Sequence, residues 1–166
     1  MTFLSYTSAN DIRAALGVDD DELTDATISS QTYEDTVSLS LARAFPDADP
    51  EATYTVCSGA STPTKNQKLY CSAFRRFVTL AFAEAFIPAL PMMAPKATGD
   101  NKVTVERFAN NPYEATIRGI RDGMATAVLD LGTMLQKINA SSTDVVVARP
   151  YFSVVSPNRD MVTDTQ

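Results

Sequence analysis

Apolar residues along this chain recur mainly at helical spacing. The longest case runs from Tyr113 through Ile117, Ile120, Met124, Ala127, Leu131 and Met134 to Ile138, in steps of four and three. It predicts a helix with a heptad-like seam turned toward protein. Just before it, "NPYE" reads as a start signal, with Asn111 as N-cap, Pro112 as first helical residue and Glu114 as capping-box partner. Glu114 with Arg118, and Arg118 with Asp122, are spaced for surface pairs worth about 0.2–0.5 kcal/mol each. Gly119 and Gly123 lie one turn apart on the same helix, each costing about 1 kcal/mol relative to Ala. Close approach of another backbone and chance both account for them.

Upstream, Ser8 as N-cap and Gly17 as a left-handed stop bracket a short helix over 9–16. Leu23 and Ile28 stand at the two positions of a hydrophobic staple around an N-cap at Thr24. The second helix starts there and runs unbroken to about Phe45, where Pro46 ends it, with Tyr33, Val37 and Leu41 as its apolar stripe. "PDADPEATYTVCSGASTPT" reads as a loop with a short strand over 53–57. A third helix over 64–87 is apolar on nearly every face in its second half, as expected of a helix central to a bundle or buried between subunits. "ALPMMAPKATGDN" reads as a proline-broken loop and "KVTVERF" as a hairpin arm. Beyond Asn139, β-branched and aromatic residues predict a strand over 144–155 and a disordered end. The expected fold class is therefore mainly α: a bundle of about four helices over 1–140, with a small β-hairpin arm, followed by an extended C-terminal tail over 141–166.

Composition narrows the chemistry. The 166 residues contain no histidine, which removes the usual general base at neutral pH, the commonest metal ligand and any Ser-His or Cys-His pair. Cys57 and Cys71 are the only cysteines and lack zinc or CxxC spacing; they read as reduced core thiols. No cofactor or metal is expected. A net charge of −6 argues against a protein that grips nucleic acid over its whole surface. "MTFLSYTSAND" lacks a secretory pattern, and "FVTLAFAEAFIPALPMM" carries Glu84, Pro88 and Pro91 within a tract too short for a membrane span. The expectation is a protein made in the cytoplasm, without a membrane segment.

Four features remain as candidates. The acidic run Asp19 to Glu22 lacks the glycine and alternate spacing of a calcium loop, so it reads as punctuation between helices. Glu84, inside an apolar stretch, calls for a partner: as a perturbed acid working with an arginine, or as a structural pair with Arg75, Arg76, Arg118 or Arg121, or as a subunit contact. Lys96, Lys102 and Arg107 fall in the irregular hairpin region, where they face solvent, a ligand or a pore. "DVVVARPYFSVV" is an aggregation hazard unless paired. It either folds back on its own domain or adds as a strand to a partner, with Val145, Val146 and Val147 in the strand, Tyr151 and Phe152 as anchors and Arg149 as polar contact.

The succession "DIRAALGV", "DDDELTDATI", a second helix, an apolar third helix, "GDNKVTVERF" and a final helix resembles the head-to-tail connector proteins of tailed bacteriophages, also called adaptor or head-completion proteins. The resemblance covers about residues 8–139. It implies a non-enzymatic virion protein of the neck, whose copies form a homo-oligomeric, twelve-fold ring between the portal protein and the tail or nozzle proteins. Packaged DNA passes through such a ring without sequence-specific binding, and the ring is a platform for tail attachment. The C-terminal segment would embrace the portal through the arm residues just named. Phe77, Glu84, Ile117, Ile120 and Met124 on the last two helices would meet neighbouring subunits, and Lys96, Lys102 and Arg107 would lie near the channel. The loop over 46–63 and the tail are longer than in compact members of that family. A different reading of the same residues is a host-side interaction or regulatory module that dimerises through the seam of the last helix.

Overall fold

A computed structural model describes residues 2–90 and 113–140, and all architectural statements concern these. The chain is mainly α-helical, with six α-helices and no strand among the described residues. The expected hairpin arm over 102–108, the C-terminal arm, and the caps Asn111 and Pro112 lie outside the described residues.

The first helix follows its local signals. Helix α1, Ala9–Leu16, begins with a capping box in which the Ser8 hydroxyl accepts from the Asp11 N–H and the Asp11 carboxylate accepts from the Ser8 N–H. It ends at Gly17, whose φ of 70° is the left-handed value glycine adopts without a Cβ penalty. Thr24 caps α2, Asp25–Ile28, and the two staple residues Leu23 and Ile28 are both buried.

The expected unbroken second helix is two. Ser30 is extended (ψ 134°), so α3, Gln31–Ala44, starts afresh after a one-turn α2. Serines at 29 and 30 favour such a break because their hydroxyls compete for backbone partners, and Ser29 Oγ donates to the Ala26 carbonyl at 3.2 Å.

The segment read as a loop with a strand is α4, Pro50–Ser58. Asp49 caps it by accepting from the Ala52 N–H, and Pro50 occupies the first turn, where its missing donor is harmless. Pro50, Tyr54 and Cys57 fall on one buried face at steps of four and three.

Helix α5, Lys65–Phe86, starts in a Thr64–Gln67 capping box and passes into a 3₁₀ turn, Ile87–Ala89. Helices α1, α3, α4 and α6 all pack on it. Its residues Tyr70, Phe74, Phe77, Val78, Phe82 and Phe86 have no exposed surface. Contacts at both ends of α3, Tyr33 with Phe86 (3.9 Å between ring centres) and Phe45 with Phe77 (6.1 Å), make α3 antiparallel to α5. Helix α6, Glu114–Asn139, is antiparallel as well, since Gly123 faces Leu80 and Asp130 faces Arg76.

The seam of α6 lies against this core: Ile120, Ala127 and Leu131 are buried, with Tyr113, Ile117, Met124, Met134 and Ile138 packed at its margin. Leu135, outside the predicted stripe, is also buried. Of the two expected surface pairs, Arg118 donates to Glu114 at 3.1 Å. The glycines differ from each other. A Cβ on Gly119 would meet nothing within 4 Å, while one on Gly123 would meet a Leu80 methyl at 3.4 Å. It is a side chain that approaches Gly123, not a second backbone.

Candidate functional site

The acidic turn is organised by a residue of α1. Arg13 is 8% exposed. Its Nε donates to the Leu23 carbonyl at 2.7 Å, one terminal nitrogen donates to Asn10 Oδ1 at 3.0 Å, and the other forms an ion pair with Asp25. A buried guanidinium needs such partners because an unpaired buried charge is strongly unfavourable. The clamp fixes where the chain leaves the turn and enters α2. Glu22 closes the run on itself by accepting from the Asp19 N–H at 3.1 Å. An open concavity beside the turn is lined by Asn10, Arg13, Ala14, Val18, Asp19, Asp20, Thr24, Asp25 and Ala26. No group of three or more His, Cys, Asp or Glu among the described residues is arranged to hold a metal ion.

A second buried charge, Glu34, holds the N-terminal segment. Its carboxylate accepts from the Phe3 N–H at 2.6 Å and from the Leu4 N–H at 3.3 Å, which are otherwise orphan donors at the start of the 3₁₀ turn Phe3–Ser5. Tyr6 continues the segment into an aromatic group, with its ring 4.9 Å from that of Tyr54 and 5.1 Å from that of Phe74. Its hydroxyl donates to Glu51 at 2.8 Å. Burial first, then that hydrogen bond and the charge of Glu51, push the Tyr6 phenol up to about 12. Burial likewise raises Tyr70, whose hydroxyl donates to the Pro50 carbonyl at 2.7 Å. Arg75 donates to the Tyr54 hydroxyl at 2.9 Å, with its guanidinium 5.8 Å from the ring centre. These contacts tie the N-terminal segment, α4 and α5 together.

Glu84 is exposed, which overturns the expectation of a carboxylate buried in an apolar helix. Ala81, Phe82, Ala83 and Phe86 around it are buried, so Glu84 occupies the outward position of that turn. The arginines proposed for it are engaged elsewhere in three cases: Arg75 with Tyr54, Arg76 with Asp130 at 3.2 Å and Arg118 with Glu114. Phe77 and Ile120 lie within the chain's own core at 0% and 3% exposure, and so offer no surface to a neighbouring subunit. Ile117 and Met124 are half-buried at the rim of α6. Lys96, Lys102, Arg107 and the arm residues Val145, Val146, Val147, Arg149, Tyr151 and Phe152 lie outside the described residues.

Every fully buried side-chain nitrogen or oxygen among the described residues has a hydrogen-bond partner. Arg13 and Glu34, the two buried charged residues among those described, both hold backbone in place. No helix among the described residues is long and apolar enough to cross a membrane. No family model, curated protein or solved structure matches the chain.

Proposed function

We propose that this chain is a structural building block, a head-to-tail connector subunit of a tailed-phage neck. Its copies form a twelve-fold ring between portal and tail that extends the DNA exit channel and carries tail components. The observation that carries the reading is that the polar side chains with long-range partners serve the frame: the buried Arg13 and Glu34, with Tyr6 and the exposed Arg75, join its segments to one another. The words behind the family resemblance fall on this frame: "DIRAALGV" is α1 and its stop, "DDDELTDATI" the clamped turn with α2, and the apolar helix is α5. The hairpin and the C-terminal arm belong to the proposal, with the arm taking the portal by strand addition. Ile120, Ala127 and Leu131 of the α6 seam are buried in the chain's own core, which leaves the host-side module only the half-buried margin of that seam to dimerise through.

Native mass spectrometry of the chain alone and mixed with the portal protein encoded beside it tests the proposal. Twelve copies per portal ring support it; a dimer in both samples with no portal binding overturns it. Deleting residues 142–166 is expected to abolish attachment while leaving helicity intact.

A further inference from the structure

Helix α5 turns a line of cations outward. Lys65, Lys68, Ser72, Arg75 and Arg76 follow one another at helical steps, so they share one face, and all are exposed. The opposite face carries the buried Tyr70, Phe74, Phe77 and Val78. From Lys65 to Arg76 the line runs about 16 Å along the helix, and α5 has no acid before Glu84. The arginines lean to either side without being used up. Arg75 spends only Nε on the Tyr54 hydroxyl of α4, and Arg76 meets the half-exposed Asp130 of α6 through one terminal nitrogen. Asp130 offsets one of the four charges. Lys137 restores it, lying two turns beyond Asp130 on the same side of the antiparallel α6, level with the start of α5.

The fold itself does not call for this line. Lys65 and Lys68 stand in the first turn of α5, which holds no acid, where the positive end of the helix dipole disfavours cations. No ion pair among the described residues engages either lysine. In a chain of net charge −6, so many cations on one helix face are a departure from the chain's own composition.

We propose that the outward face of α5, with Lys65, Lys68, Arg75 and Arg76 and with Lys137 beside it, is a sequence-independent docking surface for the backbone of a double-stranded nucleic acid. A row of Lys and Arg along a helix is the electrostatic footprint of phosphate binding. Both guanidinium groups keep donors for phosphate oxygens. No exposed aromatic ring stands in the line for an unpaired base to stack on, which favours a duplex over a single strand. A protein partner matches less well, because lysine is depleted from interface cores and Leu69 is the one large apolar side chain exposed on α5. The inference stands on this surface and not on the connector reading. If both hold, α5 is the side of the subunit presented to the DNA that passes through the ring.

The test is fluorescence anisotropy of two labelled DNA duplexes of unrelated sequence, titrated with the full chain over a range of salt and without any portal protein. The two should bind alike, with log affinity falling against log salt at a slope of about −3 to −4, as for roughly four phosphates. Lys65→Gln combined with Lys68→Gln should weaken both about tenfold and make the slope shallower by about 2, with no loss of Tm. Arg121→Gln is the control. Arg121 is exposed on α6, nine residues from Asp130 and so on the opposite side of that helix, and its loss should leave binding as it is in the natural chain. Failure to bind either duplex at low salt, or the same loss per charge removed in the double variant and in Arg121→Gln, would overturn the proposal. So would self-association of the natural chain that the double variant abolishes while neither duplex binds, which would give this face to an acidic surface of a second copy.

Discussion

Arg13 Nε donates to the Leu23 carbonyl at 2.7 Å, so a side chain from α1 holds the far end of the acidic turn. Replacing Arg13 by Met keeps most of the apolar stem but leaves that carbonyl without its donor. The loss should be about 2–3 kcal/mol, the penalty for an unsatisfied buried group and a broken charged hydrogen bond. Asp25 is 80% exposed, and its ion pair is screened by water, so Asp25→Asn should cost no more than about 1 kcal/mol. Urea unfolding of the two variants checks the contrast; equal losses would mean that the ion pair, rather than the clamp on the backbone, holds the turn.

If the acidic run is punctuation, its outward carboxylates can be removed without penalty. Asp20 and Asp21 are exposed, so a double change to Asn should leave stability within about 0.5 kcal/mol. Millimolar calcium or magnesium should not move the Tm of the natural chain. A rise in Tm on adding either ion, lost in the double variant, would restore a cation site to this turn.

These tests concern residues whose roles were unequally legible in the sequence. Ser8, Gly17 and Thr24 announce their helices because a cap is satisfied within three or four residues, and the α6 seam repeats often enough to survive any one exception. Pro50 misled because proline in a stretch rich in Ser, Thr and Gly suggests a loop, although Asp49 followed by Pro50 is itself a helix start. The roles of Arg13 and Glu34 depend on partners 10 and 31 residues away, which no local spacing encodes. Glu84 misled for a related reason: composition marks α5 as apolar, but only the placement of its neighbours fixes which position faces water.

Glu34 should act as a latch for the N-terminus. Glu34→Ala removes the acceptor of two backbone donors and should cost about 2–3 kcal/mol, while Glu34→Gln, which keeps one oxygen, should cost less. Hydrogen exchange reads this at two atoms, with Phe3 and Leu4 amides losing protection before the core does. Unchanged protection there in Glu34→Ala would show that the aromatic packing of Phe3 and Tyr6 holds the segment by itself.

The raised phenol of Tyr6 gives stability a defined alkaline limit. In the unfolded chain a tyrosine loses its proton near pH 10, whereas Tyr6 in the folded chain keeps its proton up to about 12. The unfolded state therefore binds fewer protons in that interval, and stability falls as pH rises. Below pH 10 the contribution is fully present. Tyr70, raised by burial, acts in the same direction. Tyr6→Phe should be less stable at pH 7 through loss of the Glu51 hydrogen bond, yet show a shallower decline between pH 10 and 12. Tyrosinate absorbance followed together with circular dichroism checks this; parallel declines in the two proteins would remove Tyr6 from the alkaline transition.

Gly119 separates the needs of the fold from those of assembly. It is exposed on α6, and a Cβ there meets nothing within 4 Å among the described residues, so Gly119→Ala should stabilise the isolated chain by about 0.5–1 kcal/mol through helix propensity alone. At Gly123 the new methyl would lie 3.4 Å from Leu80 Cδ1, and the gain should be smaller. Leu131→Ala, which empties a fully buried position on the same helix, should cost about 2–5 kcal/mol. On the proposed connector function, a Gly119→Ala chain that has a higher Tm and binds the portal as the natural chain does would show that this position answers to helix propensity alone. If it raises Tm but no longer assembles, a neighbouring chain must come close enough at Gly119 to exclude a methyl group, which would locate part of a subunit contact on the outer face of α6.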